Sequence, residues 1–460
     1  MIHQYKNNGY NIVLDVNSGS VHVVDDKVYD VIARMAEDRL EHADRDAILT
    51  ALRGENTDDA ELTEMVDEII ELRDDGMLFT EDIYEKSIDA FQNRETVVKA
   101  LCLHIAHDCN LKCQYCFAEE GEYHGRRALM SFEVGKKALD FLVANSGHRV
   151  NLEVDFFGGE PLMNWQVVKD LVAYGRSLEK PHNKKFRFTL TTNGVLLDDD
   201  IIAFANKEMA NIVLSVDGRK EVHDKMRPMA GGQGSYDLII PKFQKVAESR
   251  NQTNYYVRGT FTHFNKDFAA DVCHLADLGF RQISVEPVVA SESAPYALTE
   301  EDLPALLAEY DKLAAEMIKR KKEGNAFNFF HFMIDLKGGP CVYKRLSGCG
   351  SGTEYLAVTP WGDFYPCHQF VGQEEFLMGN VDDGITNTDI REAFKTCNVY
   401  SKEKCKNCFA KFYCSGGCAA NSYNFHGSIH DVYDLGCELQ RKRVECAIML
   451  KAAFAEKDTE

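Results

Sequence analysis

The run Cys109-Asn110-Leu111-Lys112-Cys113-Gln114-Tyr115-Cys116 decides how the chain is read. Its three cysteines form a C-x3-C-x2-C array just after the apolar, strand-like stretch Leu101–Ala106. Soft thiolates suit iron–sulfur chemistry, and three so spaced can hold three corners of a 4Fe–4S cluster. The fourth iron is then left without a protein ligand, and an open iron is a place for chemistry. Structural zinc is the alternative, but it asks for four ligands and pairs one C-x2-C with another or with histidines.

A second motif, Asp155-Phe156-Phe157-Gly158-Gly159-Glu160-Pro161, follows about forty residues on. Two glycines after an apolar strand let a ligand approach the backbone closely, because no Cβ intervenes. Glu160 can accept a hydrogen bond from an ammonium group. The tripod, with the aromatic Tyr115 before its last cysteine, and this GGEP element together resemble the radical S-adenosylmethionine (radical SAM) enzymes. The resemblance implies that Cys109, Cys113 and Cys116 hold the catalytic cluster. It also implies that Tyr115, Gly158, Gly159 and Glu160 belong to the cofactor site, the GGEP element lying along the amino group of the methionine moiety. Thr191-Thr192-Asn193-Gly194, Ser215-Val216-Asp217-Gly218 and His223–Arg227 match positions that contact the ribose and the carboxylate. Arg227 or Arg258 would grip that carboxylate in a bidentate fork. Turns explain Asn193-Gly194 and Asp217-Gly218 equally well.

The chain has 15 cysteines. Its start, Met1-Ile2-His3-Gln4-Tyr5-Lys6, lacks the apolar core of a secretion signal, and no stretch approaches the length of a membrane span. A cytoplasmic location is expected, where so many thiols bind metal or do redox work rather than form disulfides. Cys349, Cys367, Cys405, Cys408, Cys414, Cys418 and Cys437 crowd one segment, with Cys341 just upstream. The series, with Gly362 before Cys367 and then C-x2-C-x5-C-x3-C, resembles the SPASM extension of radical SAM enzymes that modify peptides. That resemblance implies two auxiliary 4Fe–4S clusters, three clusters in all. Cys349, Cys367 and Cys418, with Cys341 as an optional fourth, would hold the inner one, and Cys405, Cys408, Cys414 and Cys437 the outer. Spacing alone leaves a swap between the sets open. It also leaves open whether Cys341 closes the inner cluster or the site stays free for a substrate thiol. Cys102, Cys273, Cys397 and Cys446 fit no motif and read as core residues.

Between residues 97 and 300 six strand-like runs, Leu101–Ala106, Val150–Phe157, Phe186–Thr192, Ile212–Val216, Tyr255–Thr262 and Gln282–Pro287, alternate with amphipathic segments such as Phe132–Ala144 and Trp165–Arg176. This is the pattern of an α/β fold, a partial (β/α)6 barrel with ligands at the C-terminal strand ends. A helical bridge at 301–340, a SPASM domain at 341–440 and a final helix and tail at 441–460 would follow. Gly231-Gly232-Gln233-Gly234 lacks the Lys-Ser/Thr of a phosphate loop and reads as a flexible loop.

Residues 1–90 show two short alternating runs, Asn11–Val16 and Ser20–Val24, and then three helical stretches. The last spans Asp59–Asp75, with Asp58 as its N-cap and Gly76 as its stop. A winged-helix-like module results. It carries 23 acidic against 8 basic residues, a balance of −15 out of the chain's −21. Such a surface cannot neutralise phosphates, so no nucleic acid is expected, and no membrane either. The module resembles the PqqD-like elements that take a leader peptide as an edge strand.

Taken over nearly its whole length the chain resembles the maturases of SCIFF peptides, ribosomal Cys-rich peptides. The resemblance implies Cys thioether cross-linking through a 5′-deoxyadenosyl radical, a precursor bound through its leader, and a one-electron reductant of flavodoxin or ferredoxin type. An anaerobic sulfatase-type maturase, which oxidises Cys or Ser in a protein and uses a carboxylate base, is the rival; Asp267 and Asp271 are residues of the sort it would need.

Overall fold

The computed structural model describes residues 1–53, 59–123, 125–336 and 342–455. The expected N-cap Asp58, and Cys341, lie outside them.

The six expected strands form at Ala100–His107, Asn151–Gly158, Lys185–Thr192, Met209–Ser215, Tyr255–Phe261 and Gln282–Pro287. They pair in parallel in sequence order. Helices such as Phe132–Asn145 and Trp165–His182 cross between them, and caps such as Ser131, whose hydroxyl accepts from Val134 N, start the helices cleanly. Strand burial alternates. In Asn151–Gly158, Leu152, Val154 and Phe156 are buried under the helices, while Glu153, Asp155 and Phe157 face the other way. Phe186, Phe188 and Leu190 alternate with Arg187, Thr189 and Thr191 in the same manner. Parallel strands buried on both faces would read as continuous apolar runs. Here the concave face is polar from strand to strand, so the half-barrel encloses a lumen rather than a packed core.

The sheet is longer than the six-strand pattern implies. Tyr355–Val358, from the cysteine-rich segment, adds in parallel to the outer side of Ala100–His107. Asp363–Tyr365, Gly379–Asn380 and Gly384–Ile385 continue it antiparallel. At the other end Asn328–Phe329 pairs with Gln282–Pro287. The cysteine-rich region is thus bonded to the first barrel strand, whose C-terminal end leads into the cysteine tripod. The final helix, Asp434–Ala455, begins before Cys437 and carries it. It packs on the bridge helix Leu303–Lys322, where Arg443 Nε donates to Tyr310 Oη at 2.8 Å.

The N-terminal module has three antiparallel strands, not two: Ile2–Asn7, Tyr10–Asp15 and Val21–Val24, followed by helices Asp26–Glu37, Arg45–Leu52 and Asp59–Asp74. It is clamped to the cysteine-rich region. The His3 ring stacks on Phe409 at 3.5 Å, and Tyr5 Oη donates to Glu445 O at 2.9 Å. Just past the module, Asp82 accepts from Lys411 Nζ at 2.7 Å and from Tyr400 Oη at 2.8 Å. Lys411 is buried, so removing its anion strands a charge. Asp82→Ala should cost about 3–5 kcal/mol of unfolding free energy, the range for breaking a buried pair from one side. Burial raises the Asp82 pKa, but Lys411 and Tyr400 outweigh it and hold the carboxyl below its ordinary value. The stabilisation is therefore present above the ordinary carboxylate pKa and fades as pH falls through the lowered one. Denaturant titrations of both proteins across that range, with the gap closing in acid, check it.

Candidate active site

The cysteine tripod sits in the loop after Ala100–His107, pinned by backbone bonds from Lys112 N to Pro228 O and from Gln114 N to Met226 O, both 2.9 Å. Its deeper anchor is Asp217, fully buried at the end of the fourth barrel strand. This carboxylate accepts from Tyr115 Oη at 2.7 Å, Arg227 Nε at 3.0 Å and Thr260 N at 2.9 Å. The His223 imidazole backs the same turn: its Nδ1 accepts from Asp217 N at 3.3 Å and its Nε2 meets Ser235 Oγ at 2.8 Å. Burial pushes the His223 pKa down to about 4, which keeps the ring neutral and able to accept.

The GGEP glycines meet the protein's own backbone. A Cβ on Gly159 would stand 2.1 Å from Asp108 O, and one on Gly158 2.4 Å from Ala106 O. Gly159 N donates to Ala106 O at 2.7 Å and Glu160 N to Asp108 O at 2.9 Å. The two glycines therefore seat the stem of the cysteine loop. Glu160 is fully buried, and its carboxyl accepts from Leu162 N at 3.0 Å, Thr192 Oγ1 at 2.9 Å and Asn193 N at 2.8 Å. Burial raises its pKa to about 7 against those bonds. Asn193 continues the contact to the tripod: its Nδ2 lies 2.7 Å from Asn110 Oδ1 and 3.7 Å from Cys109 Sγ.

Of the two arginines, Arg227 is engaged by Asp217 and lies against Cys113 and the Tyr115 ring. Arg258 faces the lumen beside Ser215 in register and donates to Glu286 Oε2 at 2.8 Å. Asp267 and Asp271 both bind Arg219, at 2.8 Å each, away from the lumen.

Ten thiols fall into three groups by mutual electrostatic influence, with Cys397 between the second and third and Cys102 beside the second. Cys109 feels Cys113 and Cys116; Cys367 feels Cys418 and Cys349; Cys405, Cys408, Cys414 and Cys437 feel one another. All are free, without disulfides among the described residues. Burial pushes Cys109 up to about 12 and Cys113, Cys405, Cys414 and Cys437 to about 11. Such thiols stay protonated unless a metal centre claims them. No three His, Cys, Asp or Glu among the described residues converge tightly enough to hold one ion. The soft, thiolate-only donor sets of these groups suit iron–sulfur clusters, which the three groups would hold.

The lumen also holds residues that carry no motif. His104 and His107 are buried and share a bond of 2.9 Å, and both rings pack on Tyr123, whose hydroxyl donates to Gly158 O at 3.2 Å. Cys102 and Asp155 lie side by side on the first two barrel strands. The one sequence signal for them is the polar step in an apolar alternation.

With this geometry in place, the family model of the Radical SAM superfamily matches residues 103–261. The central domain is a radical SAM domain. The chain is similar to the cysteine-type anaerobic sulfatase-maturating enzyme of Clostridium novyi, 25% identical over 352 residues that cover 72% of this chain and 90% of that enzyme. It is also similar to the radical SAM cyclopropyl synthase TigE of Paramaledivibacter caminithermalis, 22% identical over 459 residues, 92% of this chain and 89% of that one. SuiB of Streptococcus suis, solved with S-adenosylmethionine and with its precursor peptide SuiA, shares the fold across 94% of this chain and 97% of its own, at a TM-score of 0.53 and 14% identity. The resemblance to radical SAM/SPASM maturases thus extends well beyond the tripod. Among the described residues no helix is long and apolar enough to cross a membrane.

Because Asp217 and the two glycines hold the radical SAM loop, their loss should show as lost iron rather than as unfolding. Gly159→Ala forces the Asp108 carbonyl aside, and Asp217→Ala frees Tyr115 and leaves Arg227 buried and unpaired. Each should cost about 2–4 kcal/mol locally and lower iron content after anaerobic reconstitution, by about one cluster. Full iron in both variants would contradict this account of the loop.

Proposed function

We propose that the chain is a radical SAM enzyme that closes Cys thioether cross-links in a Cys-rich ribosomal peptide of the SCIFF type. The observation that carries this reading is the sorting of ten free thiols into groups of three, three and four. Cys109, Cys113 and Cys116 would hold the catalytic cluster, Cys349, Cys367 and Cys418 the inner auxiliary cluster, and Cys405, Cys408, Cys414 and Cys437 the outer one. Cluster and S-adenosylmethionine together would supply a 5′-deoxyadenosyl radical. The chain's own residues bind and orient. Ser215 and Arg258, adjacent on the lumen face, would take the cofactor's carboxylate, and the Gly158–Glu160 turn and Asn193 would border its methionine end. Tyr115 and Arg227 would hold the loop against Asp217. Keeping water out of the lumen would protect a radical there.

An inner cluster held by three cysteines would leave room for a substrate thiol, which would fix the sulfur beside the carbon to be attacked. Cys341 is the residue that would close that position. The acidic module would recruit the precursor, adding a basic leader to Val21–Val24, which pairs on one side only among the described residues. A flavodoxin- or ferredoxin-type protein would supply the electron. Sulfatase-type maturation is the second reading, favoured by the Clostridium novyi relative. Against it, both carboxylates named for its base are tied to Arg219.

Reconstituted protein should hold about 12 irons per chain and no stoichiometric zinc, and Cys109→Ala/Cys113→Ala/Cys116→Ala about 8, with cofactor cleavage abolished. Cleavage by that variant would overturn the assignment. After reaction, a Cys-rich precursor should lose alkylatable thiols one by one as thioethers form. A precursor that keeps every thiol, or gains an aldehyde instead, would favour the sulfatase-type reading. Precursor binding should weaken steeply as salt rises toward 1 M, where charges are screened within about 3 Å.

A further inference from the structure

Asp155 opens the GGEP motif, and none of the roles above uses it. It sits mid-strand on Asn151–Gly158, facing the lumen, with Cys102 opposite it on one neighbouring strand and Thr189 on the other. Its hydrogen-bond partner is the Thr189 side chain. No Lys, Arg or His pairs with it among the described residues. That sets it apart from Asp82, Asp217, Asp271 and Glu286, each of which has a cation. A lumen carboxyl without a cation is costly as an anion, and such groups mark sites where a proton is exchanged.

Its other neighbours lead toward the inner thiol group. Cys102 is hydrogen-bonded to Tyr355, and the Tyr355 hydroxyl lies 3.5 Å from Nδ1 of His368, the residue after Cys367. Cys102 and Cys367 belong to one buried cluster, with Tyr355 and Phe157 packed against it. Tyr355 and Cys102 are hydrogen-bonded and Cys102 stands beside Asp155 in register, a file of exchangeable groups from the wall beside Cys367 into the lumen. Below Asp155, the exposed Glu153 on the same strand meets solvent.

We propose that Asp155 takes up the proton that the substrate thiol sheds when its sulfur bonds to carbon. The proposal rests on the reading as a thioether-forming enzyme. One C–S bond forms while one S–H and one C–H bond break. The carbon's hydrogen atom goes to the 5′-deoxyadenosyl radical, giving 5′-deoxyadenosine. The sulfur's proton passes along the Tyr355–Cys102 file to Asp155, and the remaining electron goes to an iron–sulfur centre. Asp155 then releases its proton past Glu153.

Burial, and next Glu153, raise the Asp155 pKa to about 6. It is charged and ready to accept above that value and blocked below it. The groups facing it are Glu153 on its own strand, Cys102 and Tyr355. The latter two are pushed far above their usual range by burial and do not titrate in this window.

The test uses the full-length, reconstituted enzyme with S-adenosylmethionine and a Cys-rich precursor, reading thioether formed per 5′-deoxyadenosine released from acid to alkaline pH. In the parent this ratio should rise with pH through about 6. In Asp155→Asn it should fall on the order of 100-fold and lose its pH dependence, and Asp155→Glu should restore part of both. An infrared carboxyl band titrating near pH 6 in the parent should be missing from Asp155→Asn. A parental ratio and pH profile in Asp155→Asn would overturn the proposal. A parent that releases 5′-deoxyadenosine but forms no thioether would overturn the reading beneath it, and the proposal with it.

Discussion

The site depends on one buried carboxylate, Asp217. It gathers a phenol, a guanidinium and a backbone amide at the C-terminal ends of adjacent strands, and two of those three donors belong to the walls of the cysteine loop. In a low-dielectric pocket such charge-assisted bonds are strong only if every partner is present. The loop can hold three thiols in a fixed array because its far side is fastened there and its near side rests on Gly158 and Gly159. Neither contact involves a cysteine.

Much of this was legible in the sequence, because strands with one apolar face write their period into the chain. The barrel strands fall where alternation puts them, within a few residues, and the cysteine spacing drew attention to the right loop. What escaped were contacts made across long sequence distances. Nothing in the four residues Tyr355–Val358 says that their partner is Ala100–His107. The strand Ile2–Asn7 mixes His, Gln, Lys and Asn with its apolar residues and forms because Tyr10–Asp15 lies beside it. The GGEP glycines also have a neighbour that the motif does not name, because the backbone at the stem of the cysteine loop packs against them. Arg227 and Arg258 show the same limit: sequence marks a guanidinium, but only the fold shows which carboxylate already holds it.

The polar lumen connects architecture to chemistry. A parallel barrel filled with branched side chains is a core, but one lined by Cys102, Asp155, Thr189, Ser215, Arg258 and Glu286 is a chamber. Its wall on one side is the first barrel strand and the cysteine-rich strand bonded to it. The acidic N-terminal module, locked on by His3, Tyr5 and Asp82, shares a surface with the outer group.

The most direct measurement of the central claim follows hydrogen itself. Reduced, reconstituted enzyme is given S-adenosylmethionine and a precursor peptide deuterated at carbon, and the released 5′-deoxyadenosine is weighed. The proposed radical chemistry at Cys109, Cys113 and Cys116 requires that this nucleoside carry deuterium from the peptide. Release of 5′-deoxyadenosine that never acquires deuterium, or no release at all, would contradict it.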